Sequence, residues 1–306
     1  CLAYRELLKL AGRDLSRVTA QDLGFSVGPR LNAAGRLDDM SLGIACLISH
    51  DPVEVDAMAK RLHEFNLQRR EIEADMKDAA SIALEDVDVS HRFSLSMFEP
   101  SWHQGVIGIL ASRLKDQYYR PVIAFADAGD GVLKGSGRSI QGLHLRDALD
   151  LVSKRHPDLI LKFGGHAMAA GLTINADRFE IFERAFEEVA ASLLSPADLQ
   201  AVIEVDGALD AHDMAWDFAC TLEQHVWGQG FPQPLFADEF VVKQQRIVGE
   251  RHLKLTLEKA GRLVDAIFFQ QQDLLPNTIR AVYQLQTNCF NGRQEVQLNL
   301  QHWQPV

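Results

Sequence analysis

The first 91 residues place apolar positions with a helical period. Tyr4, Leu7, Leu8 and Leu10 open a helix, and Asp51-Pro-Val-Glu54 reads as an N-cap, a first-turn proline and a capping-box glutamate. From there Val55, Met58, Leu62, Phe65, Ile72, Met76, Ala79 and Ala83 recur at three- and four-residue steps, interrupted by Arg69. A helix of roughly 30 residues spans about 45 Å at 1.5 Å per residue. That length suits a rigid connector between two lobes or a long member of a helical bundle.

Past residue 91 the pattern shortens to strands alternating with helices. Residues 93–98, 121–126 and 132–139 predict strands, and 105–118 and 143–156 predict helices. Gly171-Leu-Thr-Ile174 predicts a further strand, and Asp177 with Glu180 predicts the cap of a helix carrying Phe179, Phe182, Phe186 and Val189. This is the pattern of a compact α/β module. Beyond Val202 the helix signals fade, and strand-like runs recur at 240–248, 252–258, 263–269, 279–285 and 295–300, with a turn at Asn291-Gly292. Five strands at that spacing suit a small closed barrel of the OB type.

Composition narrows the class. The chain of 306 residues is 47% hydrophobic, enough for two or three domains. It has no run of about 18 uncharged apolar residues, so no membrane partner and a cytoplasmic location are expected. Cys1, Cys46, Cys220 and Cys289 are too sparse for a disulfide framework or a zinc site. A chain that begins at Cys1 and enters helix-forming sequence at once reads as lacking an N-terminal part. The net charge of -11 argues against a polyanionic partner, but its distribution does not. Residues 167–239 hold fourteen Asp/Glu against two Lys/Arg, whereas 92–166 hold ten Lys/Arg against seven Asp/Glu.

Two glycine-bracketed stretches, Gly135-Ser-Gly-Arg-Ser139 and Gly164-Gly-His-Ala-Met-Ala-Ala-Gly171, carry the candidate chemistry. Residues without a Cβ let a backbone approach an anion and aim its N–H groups there. Gly137, Gly164 and Gly165 are the candidate approach points. Arg138 offers a planar fork of donors to phosphate, and Ser139 a hydroxyl. His166 is placed to touch phosphate as an imidazolium or to act as an acid. Turn-forming glycines, a surface ion pair for Arg138 and a plain structural histidine are the competing readings. Ser101-Trp-His-Gln-Gly105 precedes a helix, where amides welcome an anion, and His103 is its candidate contact; Trp102 suits either the core or base stacking. Within 28–39, Arg30, Asn32 and Arg36 stand among small residues, and Asp38 and Asp39 suit helix capping or pairing with arginine. No Asp-His-His and no strand-end Asp-x-Asp occurs, so no metal site is expected in this chain.

Taken in order, these segments resemble the RecJ-type single-strand-specific exonucleases of the DHH phosphoesterase superfamily. Residues 28–39 resemble the segment closing the catalytic DHH domain, and 101–112 resemble the first helix of the accessory DHHA1 domain. Residues 135–140 and 163–172 are similar to that domain's substrate-facing signatures. Residues 228–236, 252–257 and 283–292 are similar to the family's OB domain. The fold implied is an α/β DHHA1-type domain joined by a long helix to the end of a DHH domain, followed by an all-β OB-fold barrel. The domains implied are 1–52 (end of the DHH domain), 53–90 (connector helix), 91–196 (DHHA1) and 197–306 (OB).

The resemblance implies 5′ to 3′ degradation of single-stranded DNA in recombination and repair. It implies Mg²⁺ or Mn²⁺ on DHH ligands missing from this chain, which alone would then be inactive. Asn32, Arg36, Gly137, Arg138, Ser139, Gly164 and Gly165 would bind phosphates, with His103 and His166 in supporting roles. Single-stranded DNA is the implied partner, with a single-strand-binding protein and a helicase as further ones. Two rival readings are a non-catalytic single-strand-binding accessory protein and a phosphoesterase acting on short oligonucleotides.

Overall fold

The computed structural model describes residues 1–306 apart from 86, 229, 291 and 292, and leaves out the side chains of 290 and 293. In chain order the elements are α1 (Leu2–Leu10), α2 (Ala20–Asp22), α3 (Gly28–Leu37), α4 (Ser41–Ile48), α5 (Pro52–Leu84), β1 (Leu95–Phe98), α6 (Ile107–Tyr118), β2 (Val122–Asp127) and β3 (Val132–Arg138). There follow α7 (Leu145–Arg155), β4 (Lys162–Gly165), β5 (Ala169–Asn175), α8 (Phe179–Leu193), α9 (Trp216–Gln224), β6 (Phe236–Val248), β7 (His252–Lys259), β8 (Arg262–Phe268), β9 (Thr278–Phe290) and β10 (Arg293–Pro305). They cluster into two units, Cys1–Ser16 with Phe25–Ala201, and Arg17–Gly24 with Val202–Val306. The Asn291-Gly292 turn expected from the sequence lies outside the described residues.

In the first unit α5 serves two hydrophobic cores. Val55, Ala59, Leu62 and Phe65 pack with residues of α1, α3 and α4, while Met76, Ala80 and Leu84 pack against β1, β2 and α6. The Asp51 carboxylate caps α5 by accepting from the N–H groups of Val53 and Glu54, a contact worth about 1 kcal/mol. Glu54 does not close a reciprocal box. Its carboxylate accepts from Ser49 Oγ at 3.1 Å, and the Asp51 amide donates to Ser49 Oγ instead. The apolar stripe also drifts from the sequence reading, since Ala83 is exposed and Leu84 buried, the expected rotation of a straight 3.6-residue helix over many turns.

The sheet of the first unit runs β1-β2-β3-β5-β4, parallel at β1–β2 and antiparallel elsewhere. One face is packed by α7 and α8 around Phe125, Phe182 and Phe186, with Phe125 edge-on to Phe182 at 5.3 Å. The other face carries α6. Strand β4, with its two glycines, has no apolar signature and was not predicted. Asp177 and Glu180 do not cap α8: its N-cap is Arg178, with no side-chain bond, because a 3₁₀ turn at Ala176–Arg178 leads into the helix.

The second unit is a closed five-stranded barrel, ordered β10-β8-β7-β6-β9, with β8 and β10 parallel and the other pairs antiparallel. Its interior holds a buried carboxylate. Asp238 accepts from Tyr283 Oη at 2.7 Å and from the Leu209 amide at 3.1 Å, and pairs with Lys259. Burial, reinforced by the bond to Asp238, pushes the Tyr283 phenol far above its ordinary range. The network ties the segment before α9 to the barrel.

Candidate phosphate-binding site

The Gly-Ser-Gly-Arg stretch is part of β3, and strand alternation sorts its residues between two faces. Gly135 and Gly137 point into the core. A Cβ at Gly135 would lie 2.6 Å from Leu172 Cδ2 and Phe125 Cε1, and one at Gly137 would lie 2.8 Å from Leu145 Cδ2. These are packing glycines, and β3 is paired on both sides, so the idea that this stretch bares its backbone to an anion is corrected. Ser139 is also inward: it is 1% exposed and its Oγ donates to the Leu143 carbonyl at 2.7 Å. A buried hydroxyl already spent on its own turn cannot reach a ligand on the surface.

Ser136 and Arg138 point to the opposite face, toward α6. Gly108 makes room for them. A Cβ there would stand 2.9 Å from Ser136 Oγ and 3.1 Å from Arg138 Nη2. The Arg138 Nη1 donates to the Gly137 carbonyl at 2.8 Å and to Ser136 Oγ at 3.3 Å. No carboxylate pairs with Arg138 among the described residues. Burial first, then the neighbouring Arg36 charge, pushes its guanidinium below its ordinary value.

Direct cross-strand partners extend this face. Ser136 pairs with Gly171 on β5, and Gly171 with Gly164 on β4. Both glycines are exposed, and nothing lies within 4 Å of where a Gly164 Cβ would sit, so the sheet beside Arg138 is a floor of bare backbone. Gly165 has a different task. Its φ of +151° and the Ala169 carbonyl oxygen 2.4 Å from a Cβ make it the residue that lets β4 turn into β5. His166 sits exposed at the tip of that hairpin, its amide donating to the Ala169 carbonyl.

The wall comes from α3 and the loop before α6. Arg36 Nη1 donates to the Gly105 carbonyl at 3.2 Å, and a Cβ on Gly105 would lie 2.1 Å from the Arg36 carbonyl oxygen. His103 Nδ1 accepts from the Gly105 amide at 3.0 Å, which leaves Nε2 of the exposed ring as its free atom. Asn32 is exposed one helical turn before Arg36. Arg30 lies elsewhere: it is buried and donates to His63 Nδ1 and the Ser26 carbonyl. Asp39 accepts from the amide and hydroxyl of Ser41 at the start of α4, which holds its carboxyl below the usual range. Trp102 is 5% exposed and belongs to the core, so it does not stack on a base.

The structure thus brings Arg36, Arg138 and His103 around Gly105 and Gly108, with Gly164 on the adjoining floor. Sequence reasoning missed Ser136, Gly105 and Gly108; a glycine in the otherwise apolar first turn of a helix was the available signal for Gly108. Among the described residues, three potential metal-ligand atoms come within 4.8 Å of one another at Asp210, His212 and Asp213, all exposed. That group belongs to the second unit, whereas Arg36 and Arg138 belong to the first.

A mixed α/β domain with an arginine-lined face, and an OB-type barrel in the same chain, define the class as a DHHA1–OB protein. The DHHA1 domain family matches residues 90–192, and the RecJ OB domain family matches 205–302. The single-stranded-DNA-specific exonuclease RecJ of Dickeya dadantii is 48% identical over 99% of this chain and 54% of its own length. That of Escherichia coli is 46% identical, with the same coverage. The crystal structure of RecJ in complex with Mn²⁺ from Thermus thermophilus superposes with a TM-score of 0.82 at 27% identity, over 100% of this chain and 44% of that one. The chain belongs to the RecJ family. It spans about half the length of the curated relatives it matches.

Proposed function

We propose that this chain is the strand-gripping portion of a single-stranded-DNA-specific exonuclease, acting 5′ to 3′ in recombination and repair. The supporting observation is the pairing of two guanidiniums that have no carboxylate partner among the described residues, Arg138 and Arg36, with a side-chain-free floor at Gly171 and Gly164. Phosphate diesters carry permanent charge and are bulky, so they need both a donor fork and close access to the surface. Asn32, His103 and His166 border this face, and the loop of Ser139 shapes its edge. The barrel adds a second strand-binding surface, on which Phe269 is 49% exposed and held edge-on by His252 at 5.0 Å.

Residues 1–52 are read as the end of a DHH domain, 53–90 as the connector, 91–196 as DHHA1 and 197–306 as the OB domain. Mg²⁺ or Mn²⁺ belongs to a site built by residues outside this chain, which is therefore inactive alone. A single-strand-binding protein and a helicase are its protein partners in the cytoplasm. Two measurements test the reading. Arg138→Ala is expected to weaken binding to a 20-nucleotide strand about tenfold and to flatten the salt dependence by about 0.7 in the log–log slope; unchanged affinity across a salt series removes the site. The purified chain with Mn²⁺ is expected to leave single strands intact, and hydrolysis at the rate of a full-length relative overturns the assignment of the metal.

A further inference from the structure

Beside Arg36 and Arg138, two helices present a second pair of arginines around one carboxylate. Glu73 on α5, only 14% exposed at its side chain, accepts from Arg69 through one oxygen and from Arg113 Nε on α6 through the other, the latter at 2.9 Å. Arg69 is buried, and its Nη2 also donates to Asn66 Oδ1 at 2.9 Å, so both terminal nitrogens are engaged inside. Arg113 differs. Its side chain is 58% exposed, only Nε is engaged by Glu73, and neither terminal amino group has an acceptor among the described residues.

One carboxylate shared by two guanidiniums leaves a net positive charge. Burial pushes Arg69 below its ordinary value against the pull of Glu73, and Arg70, Arg36 and Arg113 push it the same way. Arg36 also acts on Arg138. On the geometry, Arg69 and Arg113 share Glu73, Arg36 reaches the Gly105 carbonyl just before α6, and Arg138 lies against Gly108 in the first turn of α6, so α3, α5, α6 and β3 each bring a guanidinium to one region around α6. Like charges gathered in this way repel, and an anion laid along them removes the repulsion.

We propose that Arg113 is a second phosphate contact, oriented by Glu73, so that the site engages two consecutive phosphates of a strand and not one. The inference rests on the phosphate-binding reading of Arg138. Clamped at Nε, the guanidinium keeps its outer edge free as a two-pronged donor, which suits a phosphodiester and costs little further side-chain entropy. Glu73 is a positioning residue here. An interhelix ion pair that served only to join α5 and α6 would leave binding unaffected when removed.

The test uses the 306-residue chain and two probes, a 5′-phosphorylated mononucleoside and a 5′-phosphorylated eight-nucleotide thymidylate strand, titrated across a salt series. Arg113→Gln is expected to lower affinity for the strand about tenfold, to reduce its log–log salt slope by about 0.7 and to leave mononucleotide binding unchanged. Arg113→Lys keeps the charge and loses the fork, so it retains the slope with a smaller fall in affinity. Arg138→Ala weakens both probes. Parent-like strand binding by Arg113→Gln, with Arg138→Ala still impaired, overturns the second subsite alone. Loss of neither probe in Arg138→Ala overturns the underlying site and this inference with it. Loss of both probes in Arg113→Gln, with an unchanged unfolding midpoint, places Arg113 in the first subsite and refutes the second.

Discussion

Gly108→Ala separates the two reasons a helix tolerates glycine. At the second position of α6, in its first turn, alanine is favoured over glycine by less than the about 1 kcal/mol of a helix interior. The added Cβ would start 2.9 Å from Ser136 Oγ and 3.1 Å from Arg138 Nη2, whereas uncrowded contacts lie at about 3.5 Å. Both neighbours are the ends of side chains and can retreat by about half an ångström, so the clash costs little in stability. Arg138 then leaves the position from which, under the proposed function, it meets a phosphate. Losing one charge-assisted hydrogen bond costs about 1.5 kcal/mol, or roughly tenfold in affinity. The variant is expected to unfold in urea at the parent midpoint or slightly above, while binding a fluorescent single strand about tenfold more weakly by anisotropy. A variant that loses stability but binds normally refutes the argument, because Gly108 would then serve packing alone. Gly105 supplies the contrast, since a Cβ there meets the backbone carbonyl of Arg36 at 2.1 Å and neither partner can swing away. Gly105→Ala is expected to lower stability by about 2 kcal/mol, read from the same urea titration.

Partial burial first, and then the charges of Arg30, whose Nε donates to His63 Nδ1, and of Arg70, hold the His63 imidazole below its ordinary 6.5. The unfolded chain takes up the imidazole proton first, so the contribution of His63 is complete above about pH 6.5 and declines as the pH falls through the folded value. His63→Gln is expected to flatten the fall in urea midpoint between pH 7.5 and 5.5, and an unaltered slope would exclude His63 as its source. In the barrel, Asp238→Ala leaves the Lys259 ammonium without its counter-ion and the Tyr283 hydroxyl without its acceptor. It is expected to cost about 3–5 kcal/mol, against about 1 kcal/mol for Tyr283→Phe. Thermal unfolding followed by near-ultraviolet circular dichroism separates the two, and equal losses would contradict the charge-burial argument.

Much of the architecture was legible from periodicity. The helix through Met76, the α/β alternation and the barrel strands follow from apolar spacing, because burial of a repeating face is a local property of the sequence. The Asp51 cap follows from residue type, since the acceptor and its two amides lie within three residues of each other. Arg69 was visible only as a break in the stripe of α5, with no hint that Glu73 and Asn66 would satisfy it in the interior.

By itself the sequence determined which residue types were available: arginines beside glycines, a long amphipathic helix and strands enough for a barrel. Tertiary structure alone decided which glycines pack and which expose backbone. Gly135 and Gly137 face Phe125 and Leu145, while Gly171 and Gly164 lie across the strands from Ser136. It also decided that Gly105 and Gly108 admit Arg36 and Arg138 to one place. The reason is physical: a missing Cβ means nothing until another segment arrives opposite it, and those arrivals join residues about seventy positions apart in the case of Arg36 and Gly105.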